Sequence, residues 1–487
     1  MSDNLKQRTI SGVVWSAIHK FANVLLGFIS GIVLARLLTP HDYGVIGMLT
    51  IFLAVSNTFI DGGFGSALIQ KKDPTDEDYS TILYWNIGFS VFLYLILFLC
   101  APLIARFYNL PLLSDVLRVE GLVLIINAAR IVQRNQLRKK LLFKKVAIIN
   151  VSSHVVALVV TISLAWLGWG VWALVVQQLL LGLLCTLLYW ITTTWKPVLV
   201  FSYKSFRELF NFGGFVLLSN LFNTLCNNIQ GLLIGKVYNS STLGYYSKAL
   251  ETERHASLLI SSILDQVSYP VLSEAQDEKE RMVVILKRFI GAAAFITFPL
   301  MLLLILLAKP IFLLLYSERW LPCVPFFQIL CISGIAICLQ NINYFAIAAI
   351  GNSKTLFKWT IIKRSAGLAF IVGGLFFFWI YGLLAGTVAT SWIIYLVNAG
   401  LVAKHIGYSG WQQFRNLFPV IAASVFSFAV AYLLGQILHL DIYIGAIIQF
   451  IVFSTAYLFI SLYFRFESYC FALSIIESLK LKLFKIR

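Results

Sequence analysis

The stretch GIVLARLLTPHDYG, residues 31–44, has a second copy in the chain, GLLIGKVYNSSTLG at residues 231–244. Each copy begins and ends on glycine and holds an apolar run, one cation (Arg36 or Lys236) and a polar turn. The residues that match upstream at the same offset are Asn23 with Asn223 and Leu25 with Leu225. This register predicts that the chain contains two structurally related halves.

The composition places both copies in a membrane. The 487 residues are 60% hydrophobic and 12% charged, and the mean hydropathy is +0.86. Apolar runs of about 18 residues or more recur along the chain, and each is long enough to cross the hydrocarbon core as a helix. Backbone groups find no partner in lipid, so these runs must be helical, whereas a β-barrel would show short alternating segments. We therefore predict an all-α integral membrane protein.

The apolar runs predict about fourteen transmembrane helices. The predicted spans lie near 11–36, 44–70, 80–106, 117–137, 146–167, 169–194, 210–236, 244–272, 283–308, 322–349, 357–379, 382–403, 416–438 and 442–464. The repeat places span 1 on span 7, and an even number of spans means that both start on the same side. The halves are thus predicted to be parallel repeats about a pseudo-twofold axis along the membrane normal, with the substrate site between two lobes near the midplane.

This arrangement divides the chain into five predicted segments. They are an N-lobe of spans 1–6 (1–195), an amphipathic cytoplasmic linker (196–209), a C-lobe of spans 7–12 (210–405), spans 13 and 14 (406–464) and an amphipathic basic tail (465–487). The linker and the tail are expected to lie in the membrane interface, where their cations face anionic headgroups.

The net charge of +17 reflects membrane topology. Its lysines and arginines sit mainly in short loops, 27 on one side of the predicted membrane against 6 on the other. Positive loops remain in the cytoplasm, so both termini are predicted to be cytoplasmic. Because this topology accounts for the excess of positive charge, we exclude nucleic acid as a partner. The N-terminus shows no separate signal peptide, since the first helix starts the bundle.

Polar and ionisable residues inside the spans predict the substrate cavity, because such groups are costly in hydrocarbon. The candidate residues are Lys20, Asn23, Arg36, Asp61, Arg130, Arg134, Asn223, Asn227, Lys248, Glu251 and Arg254. All five lysines and arginines inside spans lie on spans 1, 4 and 8. A cation in a low-dielectric cavity favours an anionic guest, and the fork of arginine suits phosphate.

Structural roles remain open for the same residues. Lys20 can pair with Asp61 and Arg254 with Glu251, and Lys20 and Arg130 can snorkel towards the interface. The asparagines of span 7 can simply join helices by hydrogen bonds. On span 8, Lys248, Glu251 and His255 share a helix face.

Enzyme chemistry is not indicated. GNSKT at 351–355 lacks Walker A spacing, no HExxH is present, and cysteines and histidines form no metal-ligand cluster. ERHAS at 253–257 places Glu253, His255 and Ser257 on diverging helix faces. We expect no catalytic residue, no metal and no cofactor. Transport must then be driven by a gradient, by the membrane potential or by consumption of product outside.

Several motifs, in order along the chain, resemble one family. They are RTISGVVWSAI (8–18), VLARLLTPHDYGVIGML (33–49), DGGFGSALIQKKD (61–73), LYWNIGF (83–89), SYPVLSEAQDEKERM (268–282) and ERWLPCVPFFQIL (318–330). Together they resemble the polysaccharide-transport branch of the multidrug/oligosaccharidyl-lipid/polysaccharide flippase superfamily. The likeness is to Wzx-type flippases, especially the colanic-acid exporters, and it covers nearly the whole chain.

The resemblance implies fourteen helices, two lobes and alternating access. It also implies a substrate, an undecaprenyl-diphosphate-linked oligosaccharide repeat unit flipped across the bacterial inner membrane, with polymerase or assembly proteins as further partners. Its cationic cavity would correspond here to Lys20, Arg36, Arg130, Lys248 and Arg254. Asp61 departs from a purely cationic lining and would be a counter-ion or a proton or sodium site.

Two other functions compete with this one. A cation-coupled multidrug antiporter of the same superfamily would favour acidic and aromatic lining residues, and Asp61 is thin support for it. A membrane scaffold that binds biosynthetic enzymes would not need polar residues on helices of both lobes.

Overall fold

The structure, a computed structural model, describes residues 3–351, 353–438, 440–464 and 466. Apart from Phe466, the predicted tail at 465–487 lies outside the described residues. Within the described ranges the regular structure is helical, which confirms the all-α prediction. The helices are α1 (Asp3–Leu37), α2 (Pro40–Asp61), α3 (Phe64–Gln70), α4 (Asp76–Tyr108), α5 (Leu112–Glu120), α6 (Leu122–Ala128), α7 (Ile131–Lys139), α8 (Phe143–Trp166), α9 (Val171–Thr192), α10 (Tyr203–Val237), α11 (Ser240–Glu274), α12 (Lys279–Leu306), α13 (Ala308–Leu315), α14 (Cys323–Ala349), α15 (Ser353–Ile406), α16 (Gly410–Leu438) and α17 (Ile442–Tyr463).

The polar turn of each repeat copy caps a helix. At the start of α2, the Asp42 backbone N–H donates to the Thr39 hydroxyl at 3.3 Å, and the Thr39 N–H donates to the Asp42 carboxylate at 2.9 Å. In the second copy, the Thr242 N–H donates to the side-chain oxygen of Asn239 at 2.8 Å. Both caps satisfy backbone donors that a helix start leaves without an intrahelical partner. The two turns therefore do the same structural work at matched positions.

The two copies also contact each other reciprocally. A Cβ added to Gly44 would lie 1.7 Å from the carbonyl oxygen of Ser240. A Cβ added to Gly244 would lie 1.8 Å from the carbonyl oxygen of Pro40. Ser240 matches Pro40 in the repeat, as Gly244 matches Gly44, so one contact is the symmetry mate of the other. The two repeat copies are therefore related by a local twofold axis. Glycine is required at positions 44 and 244 because the backbone of one copy contacts the backbone of the other there.

Helix α15 is two antiparallel helices joined by a tight turn. Its backbone leaves the helical region at Trp379, which has φ +58°. A Cβ on Gly374 would lie 2.1 Å from the carbonyl oxygen of Gly382, so the chain doubles back between these glycines. The predicted spans 357–379 and 382–403 correspond to the two arms.

Other spans are broken within their length. Gly62 and Gly63, with φ +54° and +72°, separate α2 from α3 inside the predicted span 44–70. Helix α10 bends by 53° between Tyr203–Asn211 and Gly213–Val237, next to that break: a Cβ on Gly63 would lie 2.3 Å from the carbonyl oxygen of Gly213. The predicted linker, 196–209, therefore comprises an extended segment, 196–202, and the first turns of α10.

The chain crosses the membrane many times. Among the described residues, ten helices are long and apolar enough to span it, and the bent α10 raises the number to eleven. One of these ten is the doubled-back α15. The two remaining predicted spans correspond to the polar α11 and to the interrupted run α5–α7, neither of which is among those helices. The protein is thus a multi-pass membrane protein, and the number fourteen stays a prediction.

The chain forms two compact units, Met1–Ser247 and Lys248–Arg487. In the first, α1 packs on α8, α8 on α9, and α10 on α2, α3 and α4. In the second, α14 packs between α12 and α15, and α16 packs against α12 and α17. This division follows spatial contacts, whereas the predicted lobes follow the repeat, and the lobe boundaries stay a prediction.

Candidate functional site

Three arginines form a row along α7 in the first compact unit: Arg130 stands at its N-cap position, and Arg134 and Arg138 lie within it. Arg130, Arg134 and Arg138 recur every fourth residue, a spacing that places them on one helix face. Arg130 and Arg134 are half-buried and Arg138 is exposed. The charge of Arg134 acts on both of its neighbours, so the three cations repel one another. Like charges held this close, partly away from water, bind an anion in their shared field. We call this set the arginine row.

One acid faces the arginine row. Asp61 ends α2, and the charges of Arg134 and Arg138 both act on its carboxylate. A Cβ added to Gly65 would lie 3.2 Å from Asp61 Oδ1 and 3.0 Å from Asn135 Nδ2. Gly65 therefore leaves the space in which the carboxylate and the amide of α7 approach each other. Asp61 is the last residue of α2, and the left-handed Gly62 and Gly63 that follow it separate its carboxylate from α3.

Donors beside the arginine row have no hydrogen-bond partner among the described residues. They are Arg134 Nε, Asn135 Nδ2 and Gln133 Nε2, each buried. A buried donor without a partner costs roughly 1–3 kcal/mol, so its presence at a site is a reason to look for a ligand. All three lie on α7, and phosphate oxygens are the acceptors that guanidinium and amide donors fit best. The row can thus offer an anion both charge and hydrogen bonds.

The structure places the other predicted cavity residues of this unit in varied settings. Asn23 donates to His19, one turn earlier, at 3.1 Å. Lys20, Arg36 and Asn227 are exposed, and Asn223 is half-buried. The possible partner of Lys20 named above, Asp61, lies instead under the influence of Arg134 and Arg138. Of the predicted set, the structure therefore brings together Asp61, Arg130 and Arg134.

Lys248 has a different environment in the second unit. Its side chain is fully buried, its ammonium lies 3.1 Å from the Glu251 carboxylate, and it stands 4.9 Å above the ring of Tyr316. The Tyr316 hydroxyl hydrogen-bonds Thr252 at 3.0 Å. His255 lies 3.7 Å from Glu251, so the residues that were predicted to share one face of this helix are in contact. Lys248 is a cation packed into the unit, with little left to offer a substrate.

Arg254 stands apart from that cluster. It is exposed, and the carboxylate proposed as its partner, Glu251, is engaged by Lys248. The acid next to it in sequence, Glu253, is buried, and its Oε1 would lie 2.2 Å from a Cβ on Gly334. Arg254 therefore keeps the accessibility that a substrate-binding cation needs.

Sequence reasoning missed two residues of the site, Arg138 and Asn135, and one buried pair elsewhere in the first unit. Arg138 falls just beyond the predicted span 117–137 and is not among the predicted cavity residues, although its spacing from Arg134 was a readable signal. Asn135 gave no signal, because one more amide among polar neighbours is unremarkable in sequence. Glu120, fully buried, accepts a hydrogen bond from Gln178 at 2.7 Å, and this pairing of distant residues is visible only in three dimensions. Among the described residues, no group of three or more histidines, cysteines and acids is placed to hold a metal.

The fold and this polar cluster define a multi-pass helical membrane protein with a cationic site in one unit. Among solved structures, the fold matches that of the lipid II flippase MurJ in an inward closed conformation, with a TM-score of 0.74 and 16% identity, over 93% of this chain and 99% of that chain. It also matches an inward-facing multidrug resistance MATE family transporter of the MOP superfamily, with a TM-score of 0.61 and 15% identity, over 81% and 98% of the two chains.

The sequence comparisons identify the family. Residues 33–325 match the family model described as polysaccharide biosynthesis protein, and the chain belongs to that family. It is similar to the lipopolysaccharide biosynthesis protein WzxC of Escherichia coli (strain K12), 24% identical over 89% of each chain. It is also similar to the succinoglycan biosynthesis transport protein ExoT of Rhizobium meliloti (strain 1021), 25% identical over 89% of this chain and 88% of that one. The teichuronic acid biosynthesis protein TuaB of Bacillus subtilis (strain 168) is 27% identical, over 73% and 74%.

Proposed function

We propose that the protein is a flippase for undecaprenyl-diphosphate-linked oligosaccharide repeat units. It moves them by alternating access from the cytoplasmic to the outer face of the bacterial inner membrane, for the synthesis of a surface polysaccharide. In this proposal both termini are cytoplasmic. Support comes from the family, from relatives named for polysaccharide biosynthesis and transport, and from the fold shared with a lipid II flippase.

The observation that carries the proposal at the level of residues is the arginine row. A diphosphate presents several acceptor oxygens, and paired arginines bind such groups through forked, charge-assisted hydrogen bonds. Each such bond contributes roughly 1.5–3 kcal/mol, about twice a neutral one. Arg134, with a buried Nε that has no hydrogen-bond partner among the described residues, is the best placed of the three. The diphosphate of the carrier lipid is thus the part of the substrate that this site would hold.

Asp61 gives the site a resting partner. With the substrate absent, its carboxylate partly offsets the charges of Arg134 and Arg138. An arriving diphosphate carries more charge and displaces the carboxylate, and the carboxylate competes for the arginines again at release. Binding therefore need not become so tight that turnover stops.

The membrane potential supplies a direction. Moving one negative charge outward gains roughly 2.3 kcal/mol per 100 mV when the inside is negative. The arginine row lowers the cost of bringing the diphosphate into low dielectric, and uncharged polar residues such as Asn223 solvate the glycan. The lipid tail need not enter the cavity. No ATP-binding machinery is then needed.

The first experiment is deletion of the gene followed by lipid extraction. We expect diphosphate-linked repeat units to accumulate, protected from reagents that reach only the outer face, while surface polysaccharide disappears. Complementation with the wild-type gene should restore the polysaccharide, and an Arg134→Ala gene expressed at the same level should not. Unchanged surface polysaccharide together with raised drug sensitivity would contradict the flippase and support the antiporter.

A further inference from the structure

An aromatic cleft lies along α4. It is open to its surroundings, has a volume of about 280 Å³ and is lined by Tyr84, Trp85, Gly88, Phe89, Phe92 and Phe201. The first five come from α4 and the last from the extended linker. The rings of Trp85 and Phe89 stack with centroids 5.4 Å apart, and those of Phe89 and Phe92 stack at 6.0 Å. The cleft is therefore a row of aromatic faces along one side of a spanning helix.

Specific contacts build the wall of this aromatic cleft. The backbone N–H of Val198 donates to the Ser80 hydroxyl at 2.9 Å, and that of Ser202 donates to the Thr81 hydroxyl at 3.0 Å. These two bonds fix the linker on α4 on either side of Phe201, which remains 51% exposed. The linker is thereby held beside α4, and the cleft between the linker and the helix stays open.

Gly88 forms the floor of the aromatic cleft. It lies mid-helix, where glycine costs roughly 1 kcal/mol relative to alanine. A Cβ added there would meet no atom within 4 Å, so packing against protein does not require the glycine. A side chain at this position would fill the cleft instead. The glycine thus preserves open space between the aromatic rings.

We propose that this aromatic cleft binds the polyprenyl chain of the lipid-linked substrate, an inference that rests on the proposed function. A polyprenyl chain carries methyl branches and double bonds at regular intervals, and these pack on successive aromatic faces. Aromatic side chains bury large apolar areas, so the row of rings offers such a chain continuous apolar contact. A straight saturated acyl chain lacks those repeated branches. The ligand is therefore an isoprenoid, in preference to an ordinary phospholipid.

The charge at one end of the aromatic cleft fits the same ligand. Lys196, Lys204 and Arg207, on the linker and the first turn of α10, are exposed. The nearby acid Glu208 is paired with Lys71 at 3.2 Å, so its charge is offset. The residues of α4 that line the cleft, 84–92, extend along the helix for roughly 12 Å at 1.5 Å per residue. An anionic diphosphate that stands beside the linker before it reaches the arginine row would leave the first isoprene units lying along the rings.

Photo-crosslinking of the full-length protein in nanodiscs tests this inference. The probe is a polyprenyl diphosphate that carries a photoreactive group on the chain and no glycan. The comparison probe is phosphatidylglycerol with the same group on an acyl chain. We expect the polyprenyl probe to label residues 84–92 or 201. Unlabelled polyprenyl diphosphate should compete, and phosphatidylglycerol should not.

The variant Gly88→Leu fills the aromatic cleft and should reduce this labelling roughly tenfold, the loss expected when about two methylene groups are no longer buried. Its matched control is Gly373→Leu on α15, where an added Cβ also meets no atom within 4 Å. That control should label normally. Phe201→Ala removes the wall without touching α4 and should weaken labelling too, which covers the case that Gly88→Leu does not fold.

Two results would overturn the inference. Equal labelling and mutual competition by both probes would make the cleft an ordinary lipid-facing surface. Polyprenyl labelling elsewhere on the chain, with undiminished polysaccharide export by Gly88→Leu, would place the tail at another site and leave the proposed flippase intact. The proposed function fails separately, if the deletion strain keeps its surface polysaccharide.

Discussion

Two regions with the same kind of charge have opposite surroundings. In the arginine row, Arg130 and Arg134 are half-buried and repel each other, and the carboxylate of Asp61 interacts with Arg134. On α11, Lys248 is fully buried, ion-paired with Glu251 and covered by an aromatic ring. The sequence alone predicts the cations of both regions to lie inside the membrane and does not distinguish them.

The difference teaches how to separate a binding cation from a structural one. A structural cation has its partner on its own helix, so its desolvation is compensated when the protein folds. A binding cation is surrounded by like charges, so its compensation arrives with the ligand. The arginine row meets the second description and Lys248 the first. Four substitutions test this distinction, in order of decreasing effect.

Lys248→Met should destabilise the protein by about 3 kcal/mol, because it removes a charge-assisted hydrogen bond to Glu251 and a desolvated cation–π contact with Tyr316. Thermal unfolding of the purified protein in detergent measures the change. The double variant Lys248→Met with Glu251→Gln removes both charges and should recover much of the lost stability. If Lys248→Met instead abolishes export and leaves the unfolding temperature unchanged, Lys248 belongs with the binding cations.

Arg134→Ala should cut export at unchanged protein level, by roughly 10-fold to 100-fold if one charge-assisted contact is lost. Arg134→Lys keeps the charge without the fork and should recover only part of the activity. Arg130→Ala and Arg254→Ala should also cut export. Quantified surface polysaccharide measures all four variants, with membrane protein level as the control. Normal export in both Arg130→Ala and Arg254→Ala would rule out the cationic mechanism.

Asp61→Asn should tighten diphosphate binding by about threefold, because the arginine row loses its internal competitor and partly exposed charge pairs contribute up to ~1 kcal/mol. Calorimetry with inorganic diphosphate at fixed ionic strength gives the dissociation constant. Asp42→Asn, which alters a helix cap away from the site, is the control. Weaker binding by Asp61→Asn would mean that the carboxylate orients the arginines and does not compete with the ligand.

Lys71→Met should have the smallest effect, at most ~1 kcal/mol, since its ion pairs with Asp78 and Glu208 are partly exposed. Burial lowers the pKa of Lys71, but Asp78 and Glu208 outweigh it and hold the pKa above the ordinary lysine value of 10.5. This contribution is therefore complete below pH 10.5 and disappears as pH rises through the elevated pKa. Unfolding temperatures of wild type and variant should converge in strong alkali, and a gap that widens there would contradict the assignment.

Much of the fold could be predicted from sequence, and less of the site. The repeat at 31–44 and 231–244 predicted matched turns, and the structure shows both as helix caps whose glycines contact reciprocally. The hairpin of α15 was predicted because its two arms are each long enough to span a membrane. The breaks at Gly62–Gly63 and near Gly121 were not, because small interruptions in an apolar run barely change its hydropathy.

For the site, the sequence identified Arg130, Arg134 and Asp61 as ionisable residues within apolar spans, where they are costly. That identification requires only the neighbouring residues in the sequence. It could not join Asp61 to Arg134, which is 73 positions away, or separate them from Lys248. Both questions depend on which helices pack together.

The sequence by itself determined a helical, multi-pass membrane protein with an internal repeat. Hydropathy, span length and residue register are properties of short segments, and lipid forces each apolar segment into a helix whatever its neighbours. Only the tertiary structure decided which cations have partners and where the aromatic rings of α4 remain uncovered. Charge compensation and open space arise between segments that are distant in the chain, so they exist only after the helices have packed.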